Sequence, residues 1–241
     1  MINKNSPIPI YYQLAESIQK QIDSGDLQPG ESLPSEREYA EKFEISRMTA
    51  RQALNQLVNN GYLYRVQGKG TFVADKKIEK PLVGITSFTE DMLARGMKPS
   101  SELLHFELIP ATEHIANQLQ IKEHRPVYEI KRIRLADDVP MAIETNYISA
   151  NLVKGLTEQI VNHSIYAYME NQLGLRIEQA TQTIESSIAE PIEAQSLQIK
   201  PGVPVMRIQR IAYLHDGTPA EYVISSYRAD RYKFMVQMHR K

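Results

Sequence analysis

Cysteine is absent from the 241 residues. That excludes disulfides and thiolate metal sites, and it fits a reducing, cytoplasmic setting. Net charge is nearly absent too, at −1, so overall charge gives no sign of a nucleic-acid partner. No run is apolar enough or long enough to span a bilayer. Pro7 and Pro9 stand where a signal peptide needs a continuous apolar stretch. Neither a membrane nor export is expected. The six histidines are scattered, with none at metal-ligand spacing, and no Ser-His-Asp set or paired-carboxylate set can be assembled. No catalytic residue, metal or cofactor is expected. What remains is ordinary for a globular chain, 42% hydrophobic and 24% charged, and long enough for two modest domains.

Charge is distributed less evenly than its total implies. Residues 1–44 carry four Lys/Arg against eight Asp/Glu, whereas residues 45–74 carry Arg47, Arg51, Arg65 and Lys69 and no acid. One wholly cationic face is therefore expected on the domain that residues 1–75 form. Ile10, Leu14, Ile18 and Ile22 recur every four residues, which predicts a helix closed by Gly25. Ser35 followed by Glu38 is a capping box and starts a second helix near Glu36. Ser46 caps a third, with Ala50, Ala53, Leu54, Leu57 and Val58 facing inward. Tyr62 to Val73 reads as a hairpin with Gly68-Lys69-Gly70 at its tip.

Helix, turn, helix and two-stranded wing is an order suited to double-stranded DNA. A helix fits the major groove and reads base edges from its N-terminal turn. Arg47 and Arg51 stand one turn apart there, with Thr49 beside them. Arginine can bond guanine with both arms, and threonine can meet a thymine methyl or a phosphate. Gly68 and Gly70 let the backbone come close while Lys69 enters the minor groove. Arg37 positions on a phosphate without reading sequence. Taken singly, two arginines on a helix also fit a solvated face, and Gly flanks many hairpins; the ordered set carries the reading.

These residues bring a family into view. Ile10 to Leu14, Leu33 to Arg37, Ser46 to Leu54 and Gly68 to Val73 resemble the GntR family of bacterial transcription regulators across the whole N-terminal domain. The resemblance implies a winged helix-turn-helix that binds a palindromic operator as a homodimer. It also implies that Arg37, Arg47, Thr49, Arg51, Gly68, Lys69 and Gly70 are its DNA-contacting positions.

Residues 76–83 are polar and charged around Pro81, with no periodicity that packs, and read as a linker. The remainder, 84–241, repeats itself. Shifted by 78 residues, Leu119-Gln120-Ile121-Lys122 falls on Leu197-Gln198-Ile199-Lys200, Arg132-Ile133 on Arg210-Ile211, and Gly96 on Gly174. A duplicated unit follows, each copy reading helix, strand, helix, strand, strand. The hairpins turn at Asp137-Asp138 and Asp216-Gly217, and a last strand runs near 232–238. Hairpins make antiparallel sheet, so the fold class is α+β.

The repeat sets two helix starts in equivalent places, at Ser87-Phe88-Thr89 and Ser164-Ile165-Tyr166. Helix N-termini favour anions. Arg132 and Arg134, two apart on a strand, share a face roughly 7 Å apart. Together these suit one phosphate. Glu144 and Glu221 can accept from sugar hydroxyls or an amine, and Tyr227 and Arg228 follow on the same strand as Glu221. Plainer readings stay open: serine as a simple cap, the arginines as a solvated strand face, and Arg–Glu pairs as surface pairs of little energy.

Thr86 to Met92, Arg95-Gly96-Met97, Arg132-Ile133-Arg134, Pro140 to Glu144 and Tyr227 to Tyr232 resemble the effector (UTRA) domain of the HutC branch of that family, which shares the chorismate lyase fold. Similarity is greatest to repressors of N-acetylglucosamine use within that branch. It implies N-acetylglucosamine 6-phosphate or glucosamine 6-phosphate as the effector. The phosphate positions would be Phe88, Thr89, Arg132, Arg134, Ser164 and Tyr166, beside the helix start at Ser87, and the sugar side Glu144, Glu221, Tyr227 and Arg228. The alternatives are an enzyme of this fold acting on a phosphorylated small molecule, with Glu144 or Glu221 as base, and an adaptor whose second domain only dimerises.

Overall fold

The computed structural model describes residues 2–4, 6–75, 77–238 and 240. The chain divides after Ile78 into two compact units. The first holds α1 (Ile10–Ser24), α2 (Glu36–Phe43), α3 (Arg47–Asn59), β1 (Leu63–Val66) and β2 (Gly70–Val73). Its helices begin where the sequence supplies caps. Ser35 Oγ accepts from the Glu38 amide while the Ser35 amide donates to the Glu38 carboxylate at 2.7 Å. Ser46 Oγ accepts from the Thr49 amide at 3.0 Å. Leu14 and Ile18 of α1 meet Ala50, Ala53, Leu54 and Leu57 of α3 in one core, where each large side chain contributes about 1.5–3 kcal/mol by leaving water. β1 and β2 form the antiparallel wing. The chain before α2 runs along β2, with Leu33 N–H on the Thr71 carbonyl at 2.8 Å and Val73 N–H on the Glu31 carbonyl at 2.9 Å. The wing is thereby fixed beside the start of α2.

The stretch read as an unpacked linker is corrected in part. Ile78–Pro81 is a strand, β3, in a two-stranded sheet with the last strand of the chain. Its partner lies some 150 residues away in sequence, so local composition carried no sign of it. Lys76, where the linker was expected to begin, lies outside the described residues.

The second unit continues with α4 (Phe88–Leu93), β4 (Pro99–Pro110), α5 (Glu113–Leu119), β5 (Pro126–Ala136), β6 (Val139–Ser149), α6 (Glu158–Val161), α7 (Ile165–Leu173), β7 (Ile177–Ile188), α8 (Pro191–Ser196), β8 (Pro204–Leu214), β9 (Pro219–Arg228) and β10 (Tyr232–Met235). The short α6 has no counterpart among the expected elements. Six strands form one antiparallel sheet in the order β4-β5-β6-β9-β8-β7. The duplication is visible in it. Moved by 78 residues, β4 falls on β7 and β5 on β8. β6 and β9 pair at the centre, so the two copies lie side by side with mirrored order. α5 packs Ile115, Ala116 and Leu119 against Val127 and Tyr222, and α8 packs Ala194 with Leu197, Ile143 and Val205. α7 packs Ile165 and Met169 on Ile130 and Ile148. Asp137 and Asp138 turn the first hairpin with φ of 49° and 62°, the left-handed pair that a two-residue hairpin loop requires.

Candidate nucleic-acid interface and ligand cavity

In the first unit, Arg37 at the start of α2, Arg47 and Arg51 at the start of α3, and Lys69 and Gly70 at the wing tip line one open hollow. All four cations are exposed. Gly68 and Gly70 have φ of 74° and 125°, which L side chains rarely adopt, so glycine is required on both sides of Lys69. Gly68 and Thr49 do not line the hollow. The Thr49 hydroxyl is engaged with Ser46 Oγ at 2.8 Å, an extension of the cap.

The face is not wholly cationic, which corrects the expectation from charge along the chain. Glu36 of α2 accepts from Arg51 Nε at 2.9 Å and from Arg65 Nη2 at 3.0 Å. Arg37 pairs with Glu41 at 2.8 Å. These pairs stay partly solvated, so each contributes about 0–1 kcal/mol and exchanges readily for a phosphate. Glu36 was missed because counting acids in residues 45–74 cannot see a residue that α2 folds into that face. Met48, also in the lining, is 66% exposed between Arg47 and Thr49.

The second unit holds a partly open cavity beside the sheet, lined largely by charged and polar side chains. Ser87, Phe88 and Thr89 reach it from α4, and Ser164 and Tyr166 from α7. Arg132 and Arg134 reach it from β5, Glu144 from β6, and Glu221 and Tyr227 from β9. Arg132 and Arg134 are 3% and 4% exposed, so they are not a solvated strand face. Arg132 donates through Nη2 to Glu144 and to Asn146 Oδ1 at 3.4 Å, and through Nη1 to the Val161 carbonyl. Arg134 donates to Thr89 Oγ1 at 3.0 Å, and its guanidinium lies 4.8 Å from the Phe88 ring centroid. The Nε of each arginine has no partner among the described residues.

The two carboxylates differ. Burial pushes Glu144 up, but the Arg132 and Arg134 charges outweigh it and leave its pKa below the usual range. Glu221 is held above that range, chiefly by burial and also by the neighbouring Glu144 charge. It accepts from Tyr166 Oη at 2.8 Å and Asn146 Nδ2 at 2.7 Å. Burial also pushes Tyr227 up to about 12, so its hydroxyl stays neutral.

Arg228 is corrected. It does not line the cavity. It donates to Asp230 at 2.6 Å and to the carbonyls of Pro140 and Leu197 at 3.4 Å. Successive strand residues face opposite ways, so Tyr227 in the cavity sends Arg228 to the other face.

Four lining residues of note were missed: Lys80, Asn146, Arg210 and Ser225. Arg210 was within reach, since the repeat sets it on Arg132. In place of a carboxylate, it bonds Gln182 Oε1 through Nε at 2.9 Å and Nη2 at 2.8 Å. Among the described residues the cavity is thus lined by four cations, Lys80, Arg132, Arg134 and Arg210, and two carboxylates.

Comparison with known proteins agrees with both halves. Residues 10–73 match the family described as bacterial regulatory proteins, gntR family, and residues 94–233 match the UTRA domain. The HTH-type transcriptional repressor NagR of Bacillus subtilis is 50% identical over 239 residues, 99% of this chain and 98% of its own. The chain belongs to the GntR family, HutC type. The mannosyl-D-glycerate transport/metabolism system repressor MngR of Escherichia coli is 35% identical over 233 residues, 97% of each chain. The crystal structure of PhnF from Mycobacterium smegmatis aligns with a TM-score of 0.69 at 32% identity, covering 94% of this chain and 99% of that one. As a GntR-family chain with a UTRA domain it is a DNA-binding transcription regulator and not an enzyme. Among the described residues no helix is long and apolar enough to cross a membrane.

Proposed function

We propose that this GntR-family regulator is a cytoplasmic repressor of amino-sugar uptake and catabolism genes. It binds a palindromic operator as a homodimer and is controlled by N-acetylglucosamine 6-phosphate or glucosamine 6-phosphate. The observation that carries the reading is the charge of the cavity. Among the described residues its lining cations outnumber its lining carboxylates, an excess of the sign that a phosphate monoester requires. Arg132 and Arg134, with the hydroxyls of Thr89 and Ser164, form the phosphate end. Glu144, Glu221, Asn146 and Tyr227 offer acceptors and donors to sugar hydroxyls and to the nitrogen at C2. The 50% identity to a repressor supports the sign of regulation.

The winged units of a homodimer must meet half-sites about one helical turn apart. The sugar phosphate acts by preferring one of the operator-competent and operator-incompetent arrangements, and only its difference in affinity between them shifts the population. The test is calorimetry of the full-length protein with both sugar phosphates, with Arg132→Ala and Arg134→Met as controls. Tight binding that both controls lose is the expected result. A folded wild type that binds neither sugar phosphate overturns the proposal.

A further inference from the structure

Of the four described cations that line the cavity, three stand on β5 and β8, and Lys80 stands on β3. Lysine is rarely buried unless well paired, yet Lys80 is 7% exposed and its hydrogen bond to a carboxylate is long. Its ammonium lies 3.4 Å from Asp91 Oδ2. Asp91 is shared, giving Oδ1 to Arg95 Nη1 at 2.9 Å. Burial, with the nearby Arg210 and Arg95 charges, disfavours the Lys80 ammonium against the pull of Asp91. On β10, the strand paired with β3, Tyr232 is 1% exposed and its hydroxyl has no partner among the described residues. Such a cluster is under-satisfied where it stands.

With the cavity read as an effector site, as above, we propose that Lys80 is a further effector-contacting residue. Its ammonium exchanges Asp91 for the effector's anionic group. The exchange leaves no charge stranded, because Asp91 keeps Arg95 while Lys80 gains a whole anion in place of half of one. It also has a consequence for regulation. β3 is the strand at which the chain leaves the first unit, and its Glu79 carbonyl is held by Arg95 Nη2 at 2.5 Å. Occupancy of the cavity is thereby registered on that strand, within one residue of its tie to Arg95, just beyond α4.

The two partners of this ion pair give opposite signs. Calorimetry of the full-length wild type, Lys80→Met and Asp91→Asn with each of the two amino-sugar 6-phosphates reads them. Lys80→Met should weaken binding on the order of tenfold or more, the effect of one charged hydrogen bond. Asp91→Asn should tighten it, since Lys80 then has no competitor for the anion. A merely structural pair weakens binding in both variants, and that outcome, or an unchanged Lys80→Met, overturns the exchange and leaves the effector reading intact. A folded wild type that binds neither sugar phosphate overturns the effector reading itself. If Lys80→Met does not fold, the sign in Asp91→Asn decides alone: unchanged or weaker binding overturns the exchange.

Discussion

Arg210 holds in the second copy of the repeat the place that Arg132 holds in the first, 78 residues earlier, and both line one cavity. Their partners differ. Arg132 is bonded to the buried carboxylate Glu144, and Arg210 to the neutral amide Gln182. Duplication supplied two arginines, and divergence gave only the first a carboxylate as its direct partner.

That difference sets unequal costs. Arg132→Ala removes the nearer cation from buried Glu144 and should cost about 3 kcal/mol of stability. Arg210→Ala frees the Gln182 amide oxygen and withdraws a charge that favours ionised Glu221, without removing a carboxylate's direct ion-pair partner, and should cost about 1–2 kcal/mol. Denaturant titration of both variants checks this, and equal losses contradict it.

Glu36 holds two cations, Arg51 and Arg65, of the candidate DNA-binding face. In Glu36→Gln, Arg51 and Arg65 lose a charged partner, so non-specific DNA affinity should rise. The dependence of log K on log salt should steepen by about one. Filter binding to random-sequence duplex at several salt concentrations reads the slope; an unchanged slope means that Glu36 is already displaced by phosphate in the wild type.

Arg51 and Lys69 should fail differently. Arg51→Ala should cost about 1–3 kcal/mol on the operator and relax the preference at one base pair. Lys69→Ala should weaken all sequences alike and lower the salt slope by about one. If the two variants give one pattern, the division between base reading and groove contact is wrong.

Much of this was legible because its signals are local. Ser35 with Glu38, Ser46 with Thr49, and Gly25 fix helix ends within a few residues. The repeat fixed the sheet because a shared register survives divergence at most other positions. What escaped depends on contacts between distant segments. β3 is ordered by β10 at the far end of the chain, so Lys80 read as linker. Glu36 joins the cationic face only through the packing of α2 on α3. Arg228 was placed on the sugar side by the resemblance, although strand alternation sends it to the face opposite Tyr227.

Glu221 makes a prediction about pH. Burial raises its folded-state pKa above the ordinary carboxylate value. Between the two values the unfolded chain has released a proton that the folded protein keeps, so stability falls as pH rises through that window. Glu221→Gln removes the titration, and its stability should lack that decline. Thermal melts of both proteins from pH 4 upward, run in parallel, check the sign. A decline of equal size in the variant assigns the effect to another group.

The central claim is that a sugar phosphate in the second unit changes the grip of the first on DNA. The direct measurement is a footprint titration of the full-length protein on its operator, with and without saturating N-acetylglucosamine 6-phosphate or glucosamine 6-phosphate. A shift in half-saturation with one of them, absent in Arg132→Ala, is the predicted result. Equal operator affinity with and without both ligands contradicts the account.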